Sequence, residues 1–264
     1  MEPEEILRAT QGKLDQAEAA GVHIDALTIV PDGEPTLDIN LGRSIAALRV
    51  FGIPVAVISN ASLLWHATVR AELALADWVS LKIDSALPRT WWRINRPNKR
   101  LRLEAIVKGI EAFAVQFEGK LVTETMLIDG INENNASLES VAALLAEIQP
   151  AVAYIAAPTR PPAEPWVRPP ATEALNRAFH LFKDQVERAE FLINYEGDAQ
   201  AISSDIAREL LEITAVHPLR ASAVRGFLTK SGASQSIVDD LVDCGLLSSE
   251  TFAGHRYSVR RFDQ

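Results

Sequence analysis

The sequence is poor in the residues that several classes of protein require. Only one of its 264 residues, Cys244, is a cysteine, which excludes an intramolecular disulfide and a zinc ribbon. The formal net charge of −9 argues against a general nucleic-acid-binding surface, although it is compatible with local basic patches. The five histidines are scattered, and no two of them have the spacing of metal ligands.

Long apolar segments are missing as well. No uninterrupted apolar run approaches the ~18 residues that suggest a membrane span. The first five residues include three glutamates and lack the apolar stretch of a signal peptide. We therefore expect a cytoplasmic protein that has no membrane partner.

Strand and helix patterns alternate regularly up to about residue 190. The expected strands are 25–30, 54–59, 78–84, 120–128 and 151–157. The expected helices are 3–20, 40–51, 64–76, 101–117, 137–147 and 171–190. This alternation predicts an α/β protein with a parallel sheet and crossover helices, either open or closed into a barrel. Because the first helix has no strand before it, we expect that a leading strand is missing.

Two later segments have a different character. Six prolines lie between Pro158 and Pro170 and predict a stiff, extended loop, which is either a rigid connector or a wall of the site. After residue 200, helix patterns precede two strand patterns on either side of Gly254, the helices being 203–215, 219–230 and 234–244. Three short helices and a hairpin are typical of a winged helix, so we expect two domains, 1–200 and 201–264.

The stretch from Leu27 to Thr36 is the most informative part of the chain. An apolar strand runs directly into a Gly-Glu-Pro turn that opens toward a helix. Gly33 permits close approach by a ligand, Glu34 places a carboxylate at the strand end, and Pro35 fixes the turn. The alternative is an ordinary connection between a strand and a helix.

Polar residues also occur on the next three strands. Ser59 and Asn60 end the second strand, where they either bind a ribose hydroxyl or a carboxylate, or cap a helix. Alternation places Lys82 and Asp84 on one face of the third strand, and Glu124 on the fourth could pair with Lys82. Buried unpaired charges are unfavourable, so these residues either pair structurally or line a polar interior.

Arginine and tryptophan cluster in a loop expected after the third strand. The motif from Arg93 to Pro97 contains two arginines and directly follows Trp91 and Trp92. Such a loop either holds a phosphate or another anionic group of a substrate, or it is simply solvated.

Six segments of the chain occur in the order found in the radical S-adenosylmethionine superfamily, which this sequence resembles over roughly residues 3–190. In particular, it is similar to the group that contains the wyosine-type tRNA-modifying synthases. The segments are Pro31–Leu37, Ile58–Leu64, Ser80–Asp84, Arg93–Pro97, Met126–Asn132 and Pro158–Pro162. One such segment would be weak support, but six in order are strong.

The resemblance implies a partial (β/α)6 TIM-like barrel that lacks its first strand, and an Fe–S oxidoreductase-like activity. In that superfamily a [4Fe–4S] cluster binds S-adenosylmethionine, and one-electron reduction yields a 5′-deoxyadenosyl radical that abstracts hydrogen from the substrate. A tRNA base is the substrate that the group suggests. The implied cofactor-binding residues, for the methionine amino group and the ribose or carboxylate, are Gly33, Glu34, Pro35, Ser59 and Asn60. The implied catalytic residues, lining the interior, are Lys82, Asp84 and Glu124.

One requirement of the superfamily is not met. Its CxxxCxxC loop, which ligates the cluster, follows the first strand, and neither occurs in this chain. Cys244 alone cannot replace three cysteines. We therefore expect an N-terminally incomplete chain with no metal ligands of its own, whose full-length form binds the [4Fe–4S] cluster.

Two other readings stay open. In one, the chain is an inactive relative that serves as a binding or scaffold protein through its winged helix. In the other, it is an ordinary barrel enzyme that uses Glu34, Lys82 and Asp84 without metal.

The expected winged helix is poorly suited to duplex DNA. Its third helix carries Asp239, Asp240 and Asp243 and no basic residue, and acids facing phosphates are repulsive. Its wing, in contrast, contains Arg256 and the pair Arg260–Arg261. We therefore expect a protein partner or an RNA contact through the wing, the alternative being a simple packing domain.

Overall fold

The computed structural model describes residues 2–30, 33–192, 205–216, 218–252 and 254–261. These residues form two compact units. The first unit contains the described residues of 2–10, 24–158 and 167–192. The second contains 11–23, 159–166 and the described residues after 204. The predicted domain boundary between residues 200 and 201 lies outside the described residues.

The first unit is built on a parallel sheet of six strands that pair in chain order. The strands are β1 (Leu27–Ile29), β2 (Val55–Ser59), β3 (Trp78–Lys82), β4 (Lys120–Met126), β5 (Val152–Ala156) and β6 (Ala189–Leu192). Branched apolar residues such as Val57, Val79 and Leu81 are completely buried, as expected for a parallel sheet covered on both faces. β1 and β6 lie at the two ends of the described sheet.

One helix precedes β1, and further helices connect the successive strands. In chain order they are α1 (Pro3–Ala19), α2 (Leu41–Leu48), α3 (Ala67–Leu73), α4 (Pro88–Asn95), α5 (Leu103–Gln116), α6 (Asn135–Ile148) and α7 (Thr172–Lys183). Ile45, Phe113, Leu145 and Phe182 from four of these helices join the strand residues in one core. The predicted parallel α/β fold is thereby confirmed.

Two elements differ from the sequence-based expectation. Residues 171–190 were expected to form one helix, but α7 ends at Lys183 and residues 189–192 form β6. The sequence of this short strand, Ala-Glu-Phe-Leu, contains no β-branched residue. The helical pattern before it was therefore expected to continue through it. The Trp- and Arg-rich segment was expected to be a loop, yet Pro88 starts the eight-residue helix α4, where its missing N–H is not needed.

The second unit contains three helices and a small antiparallel sheet. Its elements are α8 (Ile206–Val216), β7 (Leu219–Arg220), α9 (Ala221–Lys230), α10 (Ser236–Asp243), β8 (Leu247–Phe252) and β9 (His255–Arg260). The strand order is β7–β9–β8, and Leu210, Phe227 and Leu247 belong to its core. The predicted helix 219–230 thus begins with a two-residue strand, and the expected start at residue 203 lies outside the described residues.

A buried tyrosine links two parts of the second unit. The Tyr257 hydroxyl donates a hydrogen bond to the carbonyl oxygen of Thr159, and it accepts one from Arg220 Nε at 3.1 Å. The proline-rich segment is therefore tied to the β7–β9 pair. Within the part of the chain described here, no helix has both the length and the apolar character needed to cross a membrane.

Candidate functional site

The predicted site residues lie toward one edge of the parallel sheet. Carboxyl ends of parallel strands meet at the same edge, where open α/β sheets bind their ligands. The turn with Gly33 follows β1, Ser59 ends β2, Lys82 ends β3, and Glu124 lies in β4 opposite Lys82 in the strand register. The fold therefore brings together residues that are far apart in the sequence.

Glu34 is the centre of a hydrogen-bond network that joins two strand ends. Its Oε1 accepts bonds from the backbone N–H of Thr36 at 3.1 Å, the Thr36 hydroxyl at 2.6 Å and the Ser59 hydroxyl at 2.6 Å. Its Oε2 accepts a bond from the Asn60 N–H at 2.7 Å. No lysine, arginine or histidine among the described residues forms a salt bridge with Glu34. Hydrogen-bond donors, and not a cationic side chain, stabilise its carboxylate there.

The end of β2 is shaped by a tight turn. The buried Ser59 hydroxyl also accepts a bond from the Ala61 N–H at 3.0 Å, and Asn60 Oδ1 accepts one from the Ser62 N–H at 2.9 Å. Ala61 has a left-handed φ of 62°, which is uncommon for a residue with a side chain. Ser59 and Asn60 do not cap a helix, because α3 begins only at Ala67. Among the described residues, none accepts a hydrogen bond from the Asn60 side-chain amide.

Gly33 and Pro35 have simpler surroundings. A Cβ placed on Gly33 would meet nothing within 4 Å, so the protein itself does not require glycine there and leaves space beside the backbone. Pro35 is buried at the first position of a short 3-10 helix, Pro35–Leu37, for which Glu34 is the N-cap. These two residues shape the turn, and Glu34 supplies its polar groups.

A second charged group lies where β3 and β4 pair. Lys82 Nζ is 3.3 Å from Asp84 Oδ1 and 3.3 Å from Glu124 Oε1. Burial by itself would lower the pKa of Lys82, but attraction and hydrogen bonds from Asp84 and Glu124 outweigh it and raise the pKa above its ordinary value. Lys82 is therefore a cation at neutral pH, held between two acidic side chains.

Asparagines hold Asp84 in place. The completely buried Asp84 side chain accepts bonds from the Met126 N–H at 3.0 Å and from Asn95 Nδ2, at the end of α4, at 3.2 Å. The buried Asn132 donates to the carbonyl oxygens of Asp84 and Met126, both at 2.9 Å, and its Oδ1 accepts from the Ile128 N–H at 2.8 Å. The ends of β3 and β4 are thus joined in the same way as those of β1 and β2.

Two adjoining cavities connect these groups. The larger, of about 490 Å³, is lined by Glu34, Asn60, Trp91 and Asn95 among others. The smaller, of about 20 Å³, is lined by Asn60, Lys82, Asp84 and Asn95 together with a larger number of apolar residues, among them Leu103, Ile106 and Ile110. The structure therefore assembles Glu34, Asn60, Lys82 and Asp84 around a common region, whereas Gly33, Pro35, Ser59 and Glu124 line neither cavity.

Sequence reasoning missed three residues of this region. Thr36, Asn95 and Asn132 all bond directly to the predicted site residues or to their backbone. Asn95 and Asn132 each occur in one of the six segments that carry the resemblance. Their presence in those segments was the only feature of the sequence that pointed to these two residues. Because their partners come from other strands, their roles could be found only from the fold.

The residues present do not fit an iron–sulfur cluster. Among the described residues, no group of three or more His, Cys, Asp or Glu side chains could hold a metal ion. Cys244 is exposed and lies next to α10 in the second unit. Clusters of this kind need several thiolates, which the described residues do not supply.

Comparison with known sequences identifies two informative relatives. The chain is 37% identical to a UPF0026 protein of Methanocaldococcus jannaschii over 263 residues, 98% of this chain and 80% of that protein. It is 38% identical to a UPF0026 protein of Synechocystis over 148 residues, 55% of this chain and about half, 54%, of the relative. No protein-family model matches the sequence.

Comparison with solved structures identifies the fold. A radical S-adenosylmethionine methyltransferase from Sphaerobacter thermophilus matches with a TM-score of 0.60 and 18% identity, over 75% of this chain and 59% of that one. TYW1 with a lysine–pyruvate adduct bound matches at 0.56 and 16%, over 70% and 64%. Streptococcus suis SuiB bound to S-adenosylmethionine matches at 0.53 and 13%, over 72% and 43%. The chain has the fold of radical S-adenosylmethionine enzymes.

Proposed function

The chain belongs to the UPF0026 family, and we propose that it is a radical S-adenosylmethionine protein that binds S-adenosylmethionine at the edge where β1 and β2 end. The observation that carries the proposal is the Glu34 carboxylate. It lies beside a cavity of about 490 Å³, is bonded by Ser59 and Asn60, and has no cationic partner among the described residues. The fold and the Gly-Glu-Pro turn support the same conclusion.

Each residue has a role that follows from its chemistry. Glu34 attracts the ammonium of the methionine moiety, because a held carboxylate without a cation favours a positive ligand group. Gly33 leaves room for that group beside the backbone, and Pro35 fixes the turn. Ser59 holds Glu34, and the free amide N–H groups of Asn60 donate to a ribose hydroxyl or to the methionine carboxylate.

Lys82, Asp84 and Glu124 form the polar group that we assign to the reacting end of the site. Because Lys82 stays charged, it acts as a fixed cation and hydrogen-bond donor and not as a base. Glu124 is the more accessible of the two carboxylates, with 25% of its side chain exposed, whereas the Asp84 side chain is completely buried. Both carboxylates therefore hold Lys82 in place, Asp84 from within the protein and Glu124 from its more exposed side.

We also propose that the cluster ligands belong to a segment outside these 264 residues. The single cysteine of the chain supports this, because such a cluster needs several thiolates. When bound in the full-length protein, a [4Fe–4S] cluster would supply the electron that cleaves S-adenosylmethionine. A tRNA base, suggested by the resemblance, is the proposed substrate of that form.

Equilibrium dialysis tests the binding step on the chain as it stands. The ligands are S-adenosylmethionine and 5′-methylthioadenosine, which lacks the amino acid part. Glu34→Gln is expected to weaken S-adenosylmethionine binding about tenfold or more, the value of a lost charge-assisted hydrogen bond, and to leave 5′-methylthioadenosine nearly unchanged. An equal effect on both ligands would show that Glu34 acts only through the loop structure, and no saturable binding would refute the assignment.

A second measurement tests whether such a segment exists. The nucleotide sequence upstream of the Met1 codon is determined and translated in the same reading frame. A strand followed by CxxxCxxC supports the proposal, and the longer protein, reconstituted anaerobically, should then release 5′-deoxyadenosine from S-adenosylmethionine. An in-frame stop close upstream without this motif favours the second function, a binding or scaffold protein.

The second unit supports that alternative function. Its order of three helices, a short strand between the first two, and a closing hairpin is that of a winged helix, which we propose it to be. The acidic residues of α10 disfavour duplex DNA, so its proposed partner is a protein or RNA. Removal of residues 205–264 should abolish capture of that partner and leave ligand binding at Glu34 intact if the function is a scaffold.

A further inference from the structure

A cavity of about 510 Å³ lies where the start of α4 meets the first turns of α5. It is distinct from the S-adenosylmethionine site, because neither Glu34 nor Asn60 lines it. Its volume is within the range of pockets that hold small organic molecules. Most of its lining residues are apolar, namely Pro88, Trp91, Trp92, Leu101, Leu103 and Ala105. The body of a ligand that fits there is therefore apolar.

Two tryptophans give this cavity an aromatic corner. The Trp91 and Trp92 rings are nearly perpendicular, at 81°, and their centroids are 6.2 Å apart. Trp91 is 8% exposed and belongs to the core of the first unit, whereas Trp92 is 44% exposed. Perpendicular rings can contact a flat apolar group through a face and an edge, which are favourable arrangements for aromatic groups. A ligand in the corner would also remove the exposed surface of Trp92 from water.

Three charged side chains line the same cavity, and two of them neutralise each other. Lys108 Nζ is 2.9 Å from Glu104 Oε1, one turn away in α5. The third, Arg102, is exposed and forms no salt bridge with any described residue. The uncompensated charge of the cavity is thus a guanidinium, whose paired N–H groups match the two oxygens of a carboxylate.

We propose that this cavity binds a small apolar carboxylate, with its apolar body in the corner of Trp91 and Trp92 and its carboxylate at Arg102. A purely apolar ligand would leave the guanidinium without a counter-charge, and a small inorganic anion would leave the tryptophans in water. The inference goes beyond the proposed function, because it assigns a second ligand to a cavity that shares the walls Trp91 and Leu101 with the S-adenosylmethionine site.

Fluorine NMR with three small probes tests the site in the intact chain, without S-adenosylmethionine or iron. The probe para-trifluoromethylbenzoate carries both the ring and the charge, para-trifluoromethylbenzamide carries only the ring, and trifluoroacetate carries only the charge. The benzoate is expected to bind saturably, with a dissociation constant below about 5 mM. It should bind roughly threefold to fivefold more tightly than the benzamide, which is the value of an exposed ion pair. Trifluoroacetate should show no saturation.

Two variants address the two parts of the site. Arg102→Gln should reduce the affinity for the benzoate to that for the benzamide and leave the benzamide unchanged, because only the ion pair is lost. Trp92→Ala should weaken both ring-bearing probes at least about threefold, since both contact the same aromatic wall. In the wild type, a higher salt concentration should lower the affinity for the benzoate but not for the benzamide.

Matched controls separate this cavity from the rest of the surface. Arg89→Gln removes an exposed cation of α4 that does not line the cavity, and it should bind all three probes like the wild type. Trp65 is as exposed as Trp92, 44% in both cases, and Trp65→Ala should also bind like the wild type. Glu34→Gln changes the neighbouring cavity and should leave benzoate binding unchanged. Circular dichroism confirms that each variant is folded.

The probes and controls also define the results that would overturn the proposal. Equal affinity for the benzoate and the benzamide would show an apolar cavity without a preference for anions, and equal affinity for the benzoate and trifluoroacetate would show an anion site that does not use the tryptophans. An effect of Arg89→Gln or Glu34→Gln as large as that of Arg102→Gln would place the benzoate elsewhere. Absence of saturable binding would refute the site. Since no S-adenosylmethionine is present, this proposal and the proposed function fail separately.

Discussion

Glu34 Oε1 accepts a hydrogen bond of 2.6 Å from the hydroxyl of Ser59, which lies 25 residues later in the chain. The bond joins the turn after β1 to the end of β2, and Asn60 reinforces it through Glu34 Oε2. The two hydrogen bonds thereby link the segments that follow β1 and β2. A ligand that binds there meets a preformed site and orders little of it on binding.

Replacing Ser59 by alanine should lower the free energy of unfolding by about 1–2 kcal/mol. The buried Ser59 hydroxyl donates a hydrogen bond to Glu34 and accepts one from the Ala61 N–H. Alanine cannot accept that bond, so the Ala61 N–H loses its partner. Urea denaturation followed by circular dichroism measures the change. Ser62→Ala, two residues beyond Asn60, is the control and should stay within about 0.5 kcal/mol of the wild type.

Lys82→Met should destabilise the protein by about 1–3 kcal/mol at neutral pH. The substitution leaves Asp84 and Glu124 facing each other without their cation, but a third of the Lys82 side chain, 32%, is in solvent, so the loss is smaller than for a fully buried pair. Lys108→Met removes an exposed ion pair with Glu104 and should have little effect.

Lys82 should also make the free energy of unfolding depend on pH in the alkaline range. Because the folded protein raises the pKa of Lys82 above the ordinary value of 10.5, its ion pairs contribute fully below that pH. The contribution is lost as pH rises from 10.5 through the raised pKa. The difference in unfolding free energy between wild type and Lys82→Met should therefore shrink over this range, and a difference that stays constant would contradict the assignment.

Asn132→Ala should lower stability by about 2–4 kcal/mol, because one backbone N–H and two carbonyl oxygens lose their partner in a buried position. Asn132→Asp should be at least as harmful, since it brings a negative charge toward the carbonyl oxygens of Asp84 and Met126. Thermal unfolding compares both variants with Asn176→Ala, an exposed position in α7 that should behave like the wild type. A small effect of Asn132→Ala would mean that water replaces the amide.

Gly109→Ala should destabilise the protein by about 1–3 kcal/mol, although alanine favours helices. A Cβ on Gly109 would lie 2.3 Å from the carbonyl oxygen of Leu64 and 2.7 Å from the Trp65 backbone nitrogen, so α5 or that loop must move. Gly226→Ala in α9 meets nothing within 4 Å and should instead stabilise by about 0.5–1 kcal/mol. Urea denaturation of the two variants tests this, because their free energies of unfolding should change in opposite directions.

The strands that position the site were accessible from sequence because their patterns are strong. β2, β3, β4 and β5 each lie within a predicted segment, and their buried branched residues explain why. β6 was missed, since Ala189–Leu192 has no β-branched residue and owes its strand conformation to pairing with β5. α4 was missed because its interior is rich in arginine and tryptophan and it is only eight residues long.

The site was predictable as a set of residues but not as a set of contacts. The pairing of Lys82 with Glu124 follows from two neighbouring strands and was expected. The contacts of Glu34 with Ser59, and of Asp84 with Asn95, join segments whose approach depends on the tertiary fold. Sequence patterns carry no information on such distances. The roles assigned to these residues stay predictions until ligand binding is measured.

The order of the strands has a consequence for how the protein is made. Since β1 to β6 pair in chain order, each strand that leaves the ribosome finds its partner already synthesised. No strand of this sheet has to wait for a distant segment, so the sheet can grow one strand at a time from β1 during translation. The strand order therefore allows the Glu34 turn to meet β2 before the segments carrying Lys82 and Glu124 have been synthesised.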